Sequence, residues 1–165
     1  MECTDLIRSR HSVRRYTLDK IPDDVVTDIL DCGRLAPTAR NIQPWKIGAV
    51  KDRDLLLRIG DTCETGPFIK DCSVCFAVFC LKDEKYYLED GCAAIMNIIT
   101  ACQAHGIGSC WIAGDKKGYA QEIRKILGLP DDYALVGLVS CGYARDAPTV
   151  KLKRSLEESS FLNQY

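Results

Sequence analysis

The chain has 165 residues, of which 47% are hydrophobic and 27% charged, a composition that predicts one globular domain over residues 1–165. The formal net charge is only −1, which excludes the global basic field of a nucleic-acid-binding protein. No apolar run reaches the roughly 18 residues of a membrane-spanning helix, and the first residues lack a signal-peptide pattern. We therefore expect a cytoplasmic protein with no membrane or nucleic-acid partner.

Hydrophobic periodicity and turn residues predict alternating helices and strands. A short helix begins near Leu6, and residues 21–24 open a second one with a proline followed by two carboxylates, which favour a helix N-terminus. Further on, the patterns predict strands over 45–50, 74–81, 109–113 and 135–143, and helices over 54–59, 86–105 and 119–127. From residue 144 onward the chain is polar and has little periodicity. No repeat or linker divides it.

The predicted helix 86–105 is apolar on nearly all faces between Cys92 and Cys102. A helix of this kind must be buried all round. Either the core of this chain encloses it, or a second copy of the chain covers one side. We favour an obligate homodimer, because the interfaces of such dimers resemble a domain core cut in half.

Ten cysteines raise the question of disulfides or a metal site. Cys72 and Cys75 form a CxxC motif at the start of a predicted strand, where a separation of three residues would point the two thiols to opposite faces. The other thiols lie mostly among apolar residues, where free cysteine behaves as a small hydrophobe. We predict reduced core cysteines and no metal site, with a redox-sensing or metal-binding subset as the alternative.

A basic segment stands out near the start of the chain, where residues 8–16 contain four arginines and a histidine. In an extended segment Arg10, Ser12 and Arg14 share one face, and two guanidiniums with a hydroxyl suit a phosphate group. A solvated basic arm is the alternative.

Residues 36–45 form a second candidate segment, in which small residues, two amides and an aromatic side chain offer hydrogen bonds to a polar heterocycle. The alternative is an ordinary loop between a helix and a strand. No GxGxxG motif follows a strand and no GxxxxGK[ST] motif occurs, which disfavours nucleotide binding of the Rossmann or P-loop kind.

Seven sequence blocks occur in register along the chain: 10–16 (RHSVRRY), 36–45 (APTARNIQPW), 89–97, 106–112, 127–132, 142–143 and 151–158. In these blocks the chain resembles the nitroreductase family of oxidoreductases, which depend on flavin mononucleotide (FMN). The resemblance implies an α+β fold, with a mixed sheet flanked by helices and the long apolar helix at a dimer interface.

The resemblance also implies a role for each block. The first block would grip FMN through Arg10, His11, Ser12 and Arg14. The second would reach the flavin of the opposite subunit through Pro37, Thr38, Asn41 and Gln43. A backbone amide within the turn Ile112, Ala113 and Gly114 would donate to flavin N5. The C-terminal block would contact the phosphate through one or more of Lys151, Lys153 and Arg154.

The activity implied by the resemblance is hydride transfer from NADH or NADPH to FMN and then to a nitroaromatic, quinone or similar acceptor, with ping-pong kinetics. No catalytic side chain beyond the flavin is expected, and Arg40 is the candidate substrate contact, or else a solvent-facing arginine. Between residues 61 and 72 the chain has little room for helices that would cover the flavin, so we expect an open site. Dehalogenation, enoyl reduction and flavin breakdown are alternatives on the same fold, and a non-enzymatic thiol module is a more distant one.

Overall fold

The computed structural model describes residues 3–148 and 151–165. Each helix and strand predicted from periodicity is present, with ends that differ by at most a few residues. The elements are α1 (Cys3–Ser9), α2 (Asp23–Arg34), β1 (Trp45–Val50), α3 (Arg53–Thr62), β2 (Val74–Leu81), α4 (Tyr87–Ala104), β3 (Gly108–Ala113), α5 (Ala120–Ile126), β4 (Tyr133–Gly142) and α6 (Leu156–Ser159). Two 3₁₀ turns span Ala39–Asn41 and Pro67–Asp71.

The four strands form one sheet in the order β1-β2-β4-β3, which confirms the α+β class. The expected mixed sheet is corrected in one respect, because every pair of neighbouring strands is antiparallel. Val50, the last residue of β1, pairs with Cys75 at the start of β2, so α3 and the second 3₁₀ turn return the chain to the end of the sheet that it left. Within the described residues the parallel pairing is confined to an isolated bridge between Ser12 and Ser109.

Helices cover both faces of the sheet. On one face, α2 and α4 pack against Phe76 and Val78 of β2. On the other, α3 and α5 pack against Ala77 and Phe79. Because β2 lies inside the sheet and is buried on both faces, its sequence is a continuous apolar run instead of an alternating one.

Helix α4 is enclosed by this chain on only part of its surface. Ile95 and Ile98 are fully buried against the sheet, whereas Met96 is 44% exposed and Cys92 and Ala93 are half-buried. The chain therefore leaves an apolar stripe of α4 uncovered, and a second copy as its cover stays a prediction. No helix in the described ranges is long and apolar enough to cross a membrane.

The cysteines are dispersed through the core. All nine whose side chains are described are free thiols, and no three potential metal ligands cluster within residues 3–148 and 151–165. Cys72 and Cys75 lie in the same hydrophobic cluster, so the prediction that they face opposite sides was wrong. Cys72 follows the second 3₁₀ turn and precedes β2, and strand alternation does not apply to it.

Candidate functional site

Within the basic segment, residues 10–16 are fastened to the ends of β3 and β4. The Val13 N–H donates to the Ser109 carbonyl at 2.9 Å. The Tyr16 hydroxyl donates to the Val13 carbonyl at 2.7 Å and lies 2.7 Å from the Ser140 hydroxyl. Burial raises the pKa of Tyr16 far above its ordinary value, so this hydroxyl keeps its proton. These contacts fix the segment on the sheet.

Two glycines admit the buried side chains of this segment. Gly108 and Gly142 pair with each other across β3 and β4. A Cβ on Gly108 would lie 2.7 Å from Val13, and one on Gly142 would lie 2.8 Å from Tyr16. Real Cβ atoms do not approach other atoms this closely, so both positions require glycine.

Three polar side chains of the segment lie around Cys110. Arg10 and His11 are half-buried, while Ser12 and Arg14 are exposed. Ser12 pairs with Ser109, the neighbour of Cys110, which places Arg10, Ser12 and Arg14 at this end of β3. Burial raises the pKa of the Cys110 thiol, and Arg14, the Ser12 hydroxyl and Arg10 each act in the opposite direction, as expected of groups at this place.

Within residues 3–148 and 151–165, the two guanidiniums at this place have no carboxylate partner. Among the described residues, no aspartate or glutamate lies within ion-pairing distance of Arg10 or Arg14, and the Arg14 guanidinium carbon is 5.8 Å from the centroid of the Phe68 ring. Arg8 and Arg15, by contrast, each form an ion pair with an aspartate. Two unpaired cations beside a hydroxyl form a fitting site for a phosphate.

The second candidate segment is anchored by Asp90, a buried residue in the first turn of α4. The Thr38 hydroxyl donates to one carboxylate oxygen at 2.7 Å, and the Ala39 N–H donates to the other at 3.1 Å. The Thr38 oxygen in turn accepts from the Gln43 N–H at 3.0 Å. Sequence reasoning assigned no role to Asp90. Its signals were its place in the block 89–97 and a carboxylate next to Gly91.

Beyond this anchor the loop adopts a strained backbone. Arg40, Asn41 and Gln43 have φ values of 53°, 58° and 52°, the left-handed region that non-glycine residues seldom occupy. The Gln43 side-chain amide donates to Asn41 Oδ1 at 3.1 Å. These three side chains and Pro37 are exposed. Strain of this kind is typical of ligand-binding loops.

At the end of β3, the three residues Ile112, Ala113 and Gly114 differ in how their backbone N–H groups are used. The N–H groups of Gly114 and Asp115 both donate to the Val136 carbonyl, at 3.1 and 3.3 Å. Alternate residues of an antiparallel strand bond to the partner strand, so the N–H of Ala113 points away from β4 to the open edge of β3. Of Ile112, Ala113 and Gly114, Ala113 is therefore the residue whose amide is free to bind a ligand. Gly114, included as a possible donor, is already engaged.

Side chains hold this turn from two sides. The Tyr119 hydroxyl donates to the Ala113 carbonyl at 2.6 Å and lies 2.7 Å from the Thr65 hydroxyl. The Tyr87 hydroxyl donates to Asp115 Oδ1 at 2.7 Å, a contact that raises the pKa of Tyr87 to about 12. The free N–H thus belongs to a rigid turn.

The family model described as "Nitroreductase family" matches residues 7–71 and 66–143. This chain belongs to the nitroreductase family. A protein of Archaeoglobus fulgidus, provisionally named NADH dehydrogenase/NAD(P)H nitroreductase, is 33% identical over 152 residues that cover 88% of this chain and 87% of the relative.

Solved structures of nitroreductases share the fold. A Bacteroides thetaiotaomicron protein with the same provisional name gives a TM-score of 0.93 at 25% identity, covering 99% of this chain and 98% of the other. An FMN-dependent nitroreductase of Clostridium difficile gives 0.92 at 22% identity, covering 97% and 98%.

One block of the nitroreductase pattern is not joined to the others. Lys151, Lys153 and Arg154 are exposed, and no hydrogen bond or ion pair within the described ranges links them to the basic segment. Next to them, Ser155 and Glu158 form a capping box that starts α6. The phosphate contact expected of this block stays a prediction.

Two of the cavities in the described structure differ in polarity and in their distance from the candidate site. A polar one of about 980 Å³ includes Arg14 and extends along residues 15–23. An apolar one of about 860 Å³ lies over β1 and β2 and is lined by none of the predicted site residues. The size of the apolar cavity therefore gives no reason to place the nitroreductase chemistry there.

Proposed function

We propose that this chain is an FMN-dependent oxidoreductase that takes hydride from NADH or NADPH and reduces a small-molecule acceptor, such as a nitroaromatic or a quinone, by a ping-pong mechanism. The observation that carries the proposal is the edge of β3. Its Ser109 end holds the unpaired cations Arg10 and Arg14, and its Ala113 end presents a free N–H. Four residues of strand separate these ends by about 13 Å. A phosphate-bearing chain with a heterocycle at its far end, such as FMN, fits this arrangement.

The comparisons support the same proposal. The Archaeoglobus fulgidus relative bears the name of an NAD(P)H-dependent enzyme, and the Clostridium difficile protein is named as FMN-dependent. No observation in the described chain favours dehalogenation, enoyl reduction, flavin breakdown or a thiol module over this activity. Location in the cytoplasm stays a prediction.

The residues of the chain bind and orient, while FMN, when bound, supplies the hydride chemistry. Arg10 and Ser12 bind the phosphate, with His11 beside them. Arg14 would stabilise negative charge at the edge of the flavin ring of bound FMN. Ala113 donates its N–H to N5. Protons come from solvent, because the site is open.

A homodimer completes the proposed site. The uncovered stripe of α4 around Met96, which is 44% exposed, provides an apolar surface for a second copy. The exposed side chains of Pro37, Asn41 and Gln43, with Thr38 behind them, would then face the partner's FMN. Sedimentation at micromolar concentration should give about twice the chain mass, and a stable flavin-loaded monomer would contradict the dimer.

Arg40 is proposed to contact the substrate. Its side chain is exposed and has no ion-pair partner among the described residues. A guanidinium there would favour a carboxylate-bearing acceptor, or the additional phosphate of NADPH. Replacing Arg40 with alanine should change the ratio of kcat/KM for NADPH and NADH by about two- to tenfold at low salt. An unchanged ratio would make Arg40 a surface arginine.

The decisive experiment measures FMN binding by fluorescence quenching in the parent protein and in a double variant, Arg10→Ala with Arg14→Ala. Each charge-assisted hydrogen bond contributes about 1.5–3 kcal/mol, so the double variant should bind FMN about 100-fold more weakly or worse. The matched control is Arg8→Ala with Arg15→Ala, which removes two neighbouring arginines that are already ion-paired.

Three results would contradict the proposal. The purified protein could fail to bind FMN, the two double variants could lose affinity equally, or the flavin-loaded enzyme could fail to accept hydride from both NADH and NADPH under anaerobic conditions. If FMN is bound but accepts no hydride, the assignment of the FMN site stands and the proposed reaction is refuted.

A further inference from the structure

We propose that Tyr119 is a positioning residue, whose hydroxyl fixes the Ala113 N–H in the direction required for its hydrogen bond to flavin N5. The inference rests on the proposed function for the identity of the ligand. It goes beyond that function because Tyr119 belongs to none of the sequence blocks that carry the family resemblance.

The geometry that carries the inference is the peptide group between Ala113 and Gly114. Its oxygen accepts from the Tyr119 hydroxyl at 2.6 Å, and its N–H donates to the Val136 carbonyl at 3.1 Å. On the other side of Ala113, Ile112 pairs with Leu138 in the sheet. The free N–H belongs to the peptide group between Ile112 and Ala113, which pairs in the sheet at Ile112, and Tyr119 holds the next peptide group, so Ala113 is held on both sides.

Tyr119 is itself held at the end of a chain of hydroxyl groups. Its single hydroxyl proton goes to the Ala113 carbonyl, so the Thr65 hydroxyl must donate to the Tyr119 oxygen, at 2.7 Å. The Cys63 sulfur lies 3.9 Å from the Thr65 oxygen and completes the chain. Hydrogen bonds in such a chain polarise one another, which strengthens the last one.

The position of Tyr119 explains why this bond persists. The residue occupies the N-cap position of α5 and is 8% exposed, in the cluster formed by α3, α5 and the sheet. Because the residue as a whole is largely shielded from water, solvent is a poor substitute for the bond when it is lost. Without it, the last peptide of β3 would be held by Val136 alone and would fray like an ordinary strand end.

An Ala113 N–H that is less firmly held should bind the flavin ring less well, because part of the binding free energy is then spent on ordering the donor. For Tyr119→Phe, which removes only the hydroxyl, we expect the Kd for FMN to rise about two- to tenfold. The ¹⁵N resonance of N5 in bound, labelled FMN should move downfield, because a ring nitrogen that accepts a weaker hydrogen bond is less shielded. Amide exchange at Gly114 should accelerate in the protein without FMN.

The experiment compares Tyr119→Phe and Thr65→Val with the matched control Tyr133→Phe. Tyr133 is half-buried, and its hydroxyl forms no hydrogen bond within the described ranges. Thr65→Val keeps the shape of residue 65 and removes the donor to Tyr119, so it should produce the same shifts to a smaller extent. It also keeps the inference testable if Tyr119→Phe does not fold.

The outcomes separate the inference from the function on which it rests. If the parent protein does not bind FMN, the function fails, and Gly114 exchange still tests whether Tyr119 holds the turn. If FMN binds and both variants leave the N5 resonance and the Gly114 exchange rate equal to those of Tyr133→Phe, the positioning role is overturned. A fall in melting temperature with an unchanged N5 resonance would likewise overturn it, since that is the result of a purely structural role.

Discussion

Replacing Asp90 with alanine should release the strained loop at residues 36–43. The buried carboxylate accepts hydrogen bonds from the Thr38 hydroxyl and the Ala39 N–H, at 2.7 and 3.1 Å. The alanine variant leaves both donors without their partner. It also places an apolar group where α4 meets the loop.

The magnitudes decide the outcome. Each hydrogen bond to a charged group contributes about 1.5–3 kcal/mol, or about 3–6 kcal/mol for the pair. The three left-handed residues Arg40, Asn41 and Gln43 cost about 1 kcal/mol each. The anchor therefore equals or exceeds a strain of about 3 kcal/mol. Once the anchor is gone, the observed loop conformation is no longer the favoured one.

Hydrogen exchange measured by mass spectrometry on peptides that cover residues 36–45 provides the assay. Exchange should accelerate at least tenfold in Asp90→Ala, while peptides from β2 keep their protection. Glu89→Ala is the matched control, because it removes an exposed carboxylate from the same first helical turn and so reproduces any loss of favourable interaction with the helix dipole. Equal exchange in the two variants would refute the anchoring role of Asp90.

Two further predictions concern packing and pH. Gly114→Ala should lower stability by about 1–3 kcal/mol in thermal or urea unfolding, because its Cβ would lie 2.6 Å from the Leu135 side chain. The control Gly118→Ala should be nearly neutral, because no atom lies within 4 Å of its Cβ. Equal effects of the two substitutions would contradict the packing argument. Burial raises the pKa of Cys72 from 9.0 to about 12. The contribution of this thiol to the free energy of unfolding should therefore be constant below pH 9 and fall as the pH rises from about 9 to about 12. Cys72→Ala should reduce that fall in urea titrations, and an unchanged pH dependence would count against the buried thiol.

The helices and strands were predictable from the period and the length of their apolar patterns. The apolar run 74–81 has the length of a strand buried on both faces, and the longer apolar stretch of α4 has the length of a buried helix. The conformation of Arg40, Asn41 and Gln43 could not be predicted. Local hydrogen bonds from Gln43 contribute, but the loop is held by a carboxylate some fifty residues away in the sequence.

The candidate site likewise has a part that the sequence predicts and a part that it does not. Family resemblance indicated which segments carry the chemistry, but it left open whether Ala113 or Gly114 supplies the amide. That choice depends on the phase of hydrogen bonding between β3 and β4, and the order of residues in one strand does not determine it. Tyr119 escaped sequence reasoning because its role lies in its hydroxyl, whereas the pattern around it shows only the start of a helix.

The two glycines that receive Val13 and Tyr16 separate two tasks within one short segment. The side chains that set its register, Val13 and Tyr16, are different from those proposed to meet the ligand, Arg10, Ser12 and Arg14. The proposed ligand-binding residues can therefore be exchanged, in evolution or by design, without moving the segment. The reverse also holds, since an alanine at Gly108 would displace the arginines and weaken anion binding although glycine itself contributes no charge.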